Sequence, residues 1–147
     1  MAMTRFSIAV TLLMAFYACT SAVTEGDSAM LRVETDESGY VAGDTVRLTL
    51  TSLSDRPFSY NICFETVLER QVNAQWSSVD APPGQPPCQA GLFELAAGAD
   101  ATGSFLLPSD LAPGIYRYRV DAVYESDAST RLPEPLRLSN TFEVNDR

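Results

Sequence analysis

The chain has 147 residues, of which 46% are hydrophobic, and a formal net charge of −9 at pH 7. This composition suits one globular domain, and the acidity argues against nucleic acid as a partner, because phosphate binding relies on clustered Lys and Arg. Histidine is absent, which removes the usual nucleophile activation and His-containing zinc sites, so we expect no catalytic residue, metal or cofactor.

The first residues resemble the signal peptide of a bacterial lipoprotein. A single positive charge, Arg5, precedes the apolar and small residues 6–18, a run about as long as a signal core and too short to span a bilayer. The run ends in Phe-Tyr-Ala and Cys19, similar to a lipobox, in which the cysteine becomes lipidated. The resemblance implies a signal peptide over 1–18, cleavage before Cys19, and lasting membrane attachment through several acyl chains on Cys19.

A short polar tether, residues 19–28, follows and is too poor in apolar residues to fold alone. Thr20, rather than Asp, stands directly after Cys19, which in lipoprotein sorting implies the outer membrane. We therefore expect a lipid-anchored protein of the cell envelope, in the outer membrane or facing the periplasm. The alternative is an ordinary secretory signal that is cut after Ala22 and leaves a secreted soluble protein.

Alternating apolar and polar residues predict β-strands throughout a domain that spans 29–147. In chain order we predict strands at 31–35, 46–51 and 58–64, a hairpin of 66–72 and 75–79 about Asn73-Ala74, and strands at 92–95, 102–107, 115–120 and within 136–144. Trp76 lies on the return strand of the hairpin, where we expect a core or sheet-covering residue rather than a binding platform. The Pro-rich stretch 81–89 cannot be a central strand and is interpreted as a surface excursion.

The stretch 111–120 is predicted to provide the central strand. A Pro-Gly turn leads into an alternation in which Tyr116, Tyr118 and Val120 point to one face and the intervening arginines to the other. This period of two is typical of a half-buried antiparallel strand. Because no amphipathic helix of useful length accompanies the strands, we predict an all-β antiparallel sandwich of about seven strands.

Two cysteines, Cys63 and Cys88, remain if Cys19 is lipidated. An even number of remaining cysteines in an exported domain favours a disulfide between them. Such a bond would hold the Pro-rich excursion against the sheet. The alternatives are a free nucleophilic cysteine, which would lack a His partner, and a metal site, for which two cysteines alone are few.

The sequence around Tyr116 resembles the tyrosine corner of immunoglobulin-like sandwiches, in which a Tyr hydroxyl returns to upstream backbone. More of the chain resembles a group of bacterial immunoglobulin-like domains of exported lipoproteins, related to the intracellular proteinase inhibitor-type domain. The residues that carry this resemblance are 41–44, 46–50, 54–57, 68–70, Trp76, 95–98, 113–117 and 142–144. The resemblance implies an immunoglobulin-like fold and an exported setting, and it implies no catalytic residue.

These patterns leave three hypotheses for function. The first is a non-enzymatic, membrane-anchored envelope protein whose domain contacts a protein partner through loops or a sheet edge, or has a structural role. The second is an exported, protease-inhibitor-like domain with 81–88 as its reactive loop. The third is a carboxylate-based active site or calcium site. The spacing of its acidic residues matches no calcium loop, and an acidic loop exposed to solvent explains these residues more simply. Its members would be Asp121, Glu125, Asp127 and Glu134.

Overall fold

Short β-strands make up almost all of the regular structure in the computed structural model, which describes residues 30–80 and 88–146. The eleven strands within these ranges are β1 (Leu31–Thr35), β2 (Gly39–Val41), β3 (Thr45–Ser52), β4 (Phe58–Tyr60), β5 (Thr66–Val72), β6 (Gln75–Ser78), β7 (Phe93–Leu95), β8 (Asp100–Leu106), β9 (Gly114–Val120), β10 (Val123–Tyr124) and β11 (Phe142–Asn145). One turn of 3-10 helix, Glu134–Arg137, lies between β10 and β11. The described ranges contain no helix that is long and apolar enough to cross a membrane.

The strands form three sheets, which we number in the order of their first strands. Sheet I is β1-β3-β8, sheet II is β2-β11-β9-β5-β6, and sheet III is β10-β4-β7. Every pairing is antiparallel except that of β2 with β11, which is parallel. The predicted central strand, β9, lies in the middle of sheet II between β11 and β5. The prediction for this strand is therefore confirmed.

Sheets I and II share one hydrophobic core. Tyr116, Tyr118 and Val120 are all buried on one face of β9, as the alternation predicts. The ring centre of Tyr118 lies 5.2 Å from that of Phe105 on β8 and 5.7 Å from that of Phe142 on β11. Aromatic rings bury more apolar area than other side chains, so these contacts link the two sheets where the core is most apolar.

The described residues contain eleven strands where the sequence predicted about seven. β2 and β10 have three and two residues, which is too short for an alternating pattern to reveal. The predicted strand 58–64 is also shorter than expected, because only β4 is extended and the chain turns after it. The cause is Asn61, whose side chain accepts hydrogen bonds from the backbone amides of Cys63 and Phe64 and thereby removes them from any sheet ladder.

The predicted hairpin of β5 and β6 is confirmed. Asn73 and Ala74 connect the two strands with φ values of 51° and 63°, the positive values that a two-residue type I′ turn requires. Trp76 on β6 is only partly buried and covers the outer face of sheet II instead of entering the core. The guanidinium of Arg117 lies 4.2 Å from the centre of its ring, within the range of a cation–π contact.

The arginines of β9 form ion pairs on this outer face. Glu69 on β5 is 3% exposed; its Oε2 lies 2.7 Å from Nε of Arg117, and its Oε1 pairs with Arg119. Nε of Arg119 also lies 3.0 Å from Oδ1 of Asp121, which in turn pairs with Arg137. Each of these three guanidinium groups therefore faces a carboxylate, which compensates the cost of partly burying its charge.

A hydrogen-bonded pair, Asp36 and Tyr40, holds the connection between β1 and β2. The hydroxyl of Tyr40 donates to Oδ1 of Asp36 at 2.7 Å and accepts from the amide of Glu37 at 2.8 Å, and the amide of Arg47 donates to the same Asp36 oxygen at 2.9 Å. Burial and the bond to Asp36 raise the pKa of Tyr40 to about 12. Burial alone would raise the pKa of Asp36, but the hydrogen bonds from Tyr40 and Arg47 outweigh it and lower that pKa.

We expect Phe142→Ala to lower the free energy of unfolding by about 3–5 kcal/mol, because it leaves a cavity in the shared core. Phe142 is 2% exposed and contacts the rings of Tyr40, Tyr116 and Tyr118. Urea unfolding measures the loss. The control is Ile115→Ala on the exposed face of β9, with an expected change of about 0.5 kcal/mol or less. Equal losses for the two variants would contradict this account of the core.

Asp36→Asn should weaken the loss of stability in acid. Because the pKa of Asp36 is lower in the folded chain, its contribution is present above the unfolded pKa of about 3.9 and disappears as the pH falls through the folded pKa. The difference in free energy of unfolding between the wild type and Asp36→Asn should therefore shrink between about pH 5 and pH 2. The exposed Asp110 has no side-chain hydrogen bond to a described residue, so Asp110→Asn is the control. A constant difference across this range would contradict the prediction.

Candidate binding surface

The buried side chain of Asn61 joins two separate loops. Its Oδ1 accepts from the backbone amides of Cys63 at 3.1 Å and Phe64 at 3.0 Å. Its Nδ2 donates to the carbonyls of Gln89 at 3.0 Å and Gly91 at 2.6 Å. Asn61 is 2% exposed, and these four bonds use the two donors and two acceptor positions of its amide, which offsets the cost of burial. The loop after β4 and the loop before β7 are therefore held in one arrangement.

A disulfide joins the same two loops. Cys63 and Cys88 are bonded, as predicted, with Cα atoms 5.5 Å apart and a sequence separation of 25. Closing a loop of this length stabilises a fold by about 3–4 kcal/mol on the chain-entropy model. The disulfide and the Asn61 amide act within a few residues of each other, so this end of the domain is cross-linked twice.

A shallow apolar groove of about 290 Å³ lies beside the disulfide. Its lining residues are Phe64, Gly91, Leu92, Ala122, Tyr124 and Ala128. Phe64 is 54% exposed and Leu92 is 44% exposed, and the neighbouring Phe93 is 40% exposed. Large apolar side chains scattered singly on a surface are ordinary, whereas here two of them, Phe64 and Leu92, line one concave site.

Two residues at the rim of the groove have a left-handed backbone. Glu65, next to Phe64, has a φ of 56°, and Ala128, in the lining, has a φ of 57°. Neither is a glycine, so each conformation costs about 1–2 kcal/mol. Strained residues of this kind persist where the surrounding contacts enforce them, and they occur often at binding sites.

Three acidic residues adjoin lining residues of the groove in sequence. Glu65 follows Phe64 and Asp127 precedes Ala128, whereas Glu125, which follows Tyr124, lines a separate pocket that includes Arg56. Arg131 pairs with Glu65 at 3.3 Å and donates to the hydroxyl of Tyr124 at 3.2 Å. Within the described residues, Glu125 and Asp127 are exposed and have no ion-pair partner. Hydrogen bonds from Ser129 lower the pKa of Asp127, so this carboxylate is charged at neutral pH.

Tyr116 makes the hydrogen bond that a tyrosine corner requires. Its hydroxyl donates to the carbonyl of Ala112, four residues upstream, and its ring is fully buried. Burial raises the pKa of Tyr116, so the hydroxyl keeps the proton that it donates. Arg70 supports the same turn, because its Nη2 donates to the carbonyl of Pro113 at 2.9 Å. These contacts fix the entry to β9, and Tyr116 does not line the groove.

The four carboxylates considered for an active or calcium site have separate surroundings. Asp121 pairs with Arg119 on β9 and with Arg137 at the end of the 3-10 helix. Asp127 accepts hydrogen bonds from Ser129 in its own loop, and Glu134 is exposed in the 3-10 helix. In the described part of the chain, no group of three or more His, Cys, Asp or Glu is placed to hold a metal ion.

Some sequence predictions lie outside the described residues, namely the signal peptide over 1–18, the lipidation of Cys19, the tether over 19–28 and, apart from Cys88, the reactive loop 81–88. Conversely, the roles of Asn61 and of the exposed residues Phe64 and Leu92 were not predicted from the sequence. One signal was available: Asn61 stands two residues before a cysteine inside an otherwise apolar run, and Asn side chains commonly bond to the backbone two residues on.

Comparison with known proteins does not place the chain in a family. No family model and no curated protein matches it. The solved structures that share part of its shape include the Pseudomonas fluorescens alkylpurine DNA glycosylase AlkC bound to DNA containing an abasic site analog, with 14% identity and a TM-score of 0.40 over 79% of this chain and 30% of that one. They also include the sporulation control protein Spo0M from Bacillus subtilis, with 11% identity and a TM-score of 0.40 over 80% of this chain and 49% of that one. A third is the PapD-like domain 7 of human CEP192, with 11% identity and a TM-score of 0.39 over 98% and 96%. Likenesses at this level assign no function.

We expect Asn61→Asp to destabilise the domain by about 2–4 kcal/mol at pH 7, because a carboxylate would face the two carbonyl groups that the amide now serves. The free energy of unfolding in urea, with the disulfide intact, measures this loss. Asn140→Asp is the matched control, since its exposed amide also donates to an oxygen, Oγ1 of Thr35 at 2.8 Å, and should cost about 1 kcal/mol or less. A loss at Asn61 no larger than the loss at Asn140 would show that the buried amide does not hold the two loops.

Proposed function

We propose that this chain is a bacterial lipoprotein of the cell envelope, with a signal peptide over 1–18 and a lipid on Cys19. Residues 19–28 are the tether, and 29–147 form a non-enzymatic, immunoglobulin-like domain that acts as a protein-interaction or structural module. The observation that carries the exported setting is the disulfide between Cys63 and Cys88, because such bonds persist outside the reducing cytosol.

The strand lengths support the immunoglobulin-like sandwich of about seven strands. Seven of the eleven described strands have four or more residues, and all seven belong to the two sheets that share the core. Three are in sheet I and four are in sheet II, a division typical of immunoglobulin-like domains. The hydrogen bond from Tyr116 to Ala112 also supports this proposal.

The groove supports the interaction role. Its exposed apolar side chains lie on loops that a disulfide and a buried amide hold in place. Binding residues are disproportionately found on loops that a rigid scaffold positions. A purely structural module would not need large side chains exposed around a concave site.

The alternative proposal is an exported, protease-inhibitor-like domain with a reactive loop over 81–88. The disulfide supports it in one respect, because it fixes the end of that loop, Cys88, to the body of the domain. Inhibition assays against extracytoplasmic proteases separate the two proposals.

We expect the protein extracted from bacterial membranes to begin at Cys19, to carry acyl chains there, and to contain one disulfide. Intact-mass measurement before and after reduction reports all three properties at once. Cys19→Ser should leave the membrane fraction under conditions in which the wild type stays, because only the acyl chains give lasting attachment. Cys63→Ser is the control, since it changes a cysteine without removing the anchor. A mature protein that begins after Ala22, or one that retains Met1, would contradict the anchoring proposal.

A further inference from the structure

We propose that Asn61 holds Cys63 and Cys88 side by side in the folded domain even when both are reduced, so that the disulfide between them opens and closes without unfolding. Asn61 is then a positioning residue for thiol–disulfide exchange at this end of the domain. Both mature forms considered above, lipidated at Cys19 or cut after Ala22, leave Cys63 and Cys88 as their only free thiols after reduction. The exchanging pair is therefore the same in either form.

The side chain of Asn61 bonds to the backbone beside each cysteine. Its Oδ1 accepts from the amide of Cys63 itself at 3.1 Å, and its Nδ2 donates to the carbonyl of Gln89, the residue after Cys88, at 3.0 Å. The Cα atoms of the two cysteines lie 5.5 Å apart, within the range in which a disulfide forms without movement of the backbone. Neither hydrogen bond involves a sulfur atom, so both remain available to the reduced chain.

The loop that contains Cys63 is also held from its other side. The backbone amide of Asn61 donates to the carbonyl of Ala122 at 2.8 Å, and the carbonyl of Glu65 accepts from the amide of Asp121 at 3.0 Å. Both ends of this loop are thereby tied to the connection between β9 and β10. These bonds do not need the disulfide, so we expect Cys63 to keep its place after reduction.

The segment that contains Cys88 depends on Asn61 instead. β7 is paired with β4, but residues 88–92 lie before that pairing begins. Among the described residues, 88–92 form hydrogen bonds only with the side chain of Asn61, through the carbonyls of Gln89 and Gly91. Once the disulfide is reduced, this amide is therefore the remaining polar link that keeps the thiol of Cys88 near its partner.

Both cysteines are partly exposed, so a small thiol or disulfide can reach them. When the bond closes, the two thiols give up two protons and two electrons, and a disulfide oxidant such as glutathione disulfide accepts them and leaves as two thiol molecules. When it opens, one glutathione thiolate attacks a cysteine sulfur and a second resolves the mixed disulfide. Holding the two thiols together raises their effective concentration, which favours the closed bond at a given glutathione balance.

Equilibration with glutathione tests the proposal. The mature chain as cells process it is incubated with mixtures of reduced and oxidised glutathione and quenched with acid, and intact mass gives the oxidised, reduced and glutathione-bound fractions. We expect Asn61→Ala to lower the effective concentration of the cysteine pair about tenfold or more, as the loss of two hydrogen bonds to one segment implies. The share of chains that carry glutathione on one cysteine should rise. Circular dichroism verifies that the reduced chain is folded.

Two control variants separate positioning from general stability. Asn140→Ala removes an exposed amide that bonds to Thr35, and Val144→Ala removes apolar volume from the core at a position that is 1% exposed. Both act alike on the oxidised and reduced domains, so the effective concentration should stay within about twofold of the wild-type value. An unchanged value for a folded Asn61→Ala, or an equal fall for Val144→Ala, would overturn the proposal.

A second measurement needs no change at Asn61. In the double variant Cys63→Ser, Cys88→Ser, which represents the reduced chain, NMR follows hydrogen exchange of the Asn61 side-chain amide. We expect this exchange to be about tenfold or more slower than that of the exposed Asn140 amide, because the bonds to the two loops persist. Exchange as fast as that of Asn140 would show that the disulfide holds Asn61 in place rather than the reverse, and would overturn the proposal. The mass of the purified chain reports separately whether it is anchored.

Discussion

The packing of the Tyr118 ring against Phe105 and Phe142 is the contact on which the two large sheets depend. Tyr118 lies on the central strand of sheet II, Phe105 belongs to sheet I, and Phe142 belongs to the neighbouring strand β11. Burial raises the pKa of Tyr118 far above its usual value, in keeping with a ring enclosed by apolar neighbours. Because side chains alternate along a strand, the same backbone that places tyrosines in the core must place Arg117 and Arg119 on the opposite face. The carboxylate of the buried Glu69 compensates the positive charges of both arginines.

The features that depend on local pattern could be predicted from the sequence. The strands β3 and β9 follow from alternation, and the turn at Asn73 and Ala74 follows from the tolerance of Asn for positive φ. The Cys63–Cys88 bond could be predicted by counting the cysteines that remain if Cys19 is lipidated. Each of these predictions needs only neighbouring residues or composition.

The groove could not be predicted, because it depends on contacts between distant parts of the chain. Asn61 bonds to its own loop and to the loop that contains Gln89 and Gly91. The alternation of apolar and polar residues along one strand cannot show that two distant loops bond to the same side chain. The apolar run around Asn61 also predicted a longer strand than the one that forms. The short strands β2 and β10 were missed for the same reason, since they form only where partners from other elements lie beside them.

Stability and the shape of the groove are linked at the end of the domain that contains it. Sheet III has strands of only two or three residues, so its ladder contributes few hydrogen bonds. The disulfide and the Asn61 amide replace the missing pairings and, by holding the loops, keep Phe64 and Leu92 in place at the surface. A change that loosens this end would therefore alter the groove even if it touched none of the lining residues.

The parallel pairing of β2 with β11 sets an order on folding. Residues 39–41 at one edge of sheet II pair with residues 143–145. This edge of the sheet can therefore form only when nearly the whole described chain is available for folding. Contacts this distant in sequence form late, because the intervening chain must first be brought together. If the chain is exported as we propose, this edge of sheet II can form only after residues 143–145 have crossed the membrane, so the last strand pairing of the sheet follows the end of passage.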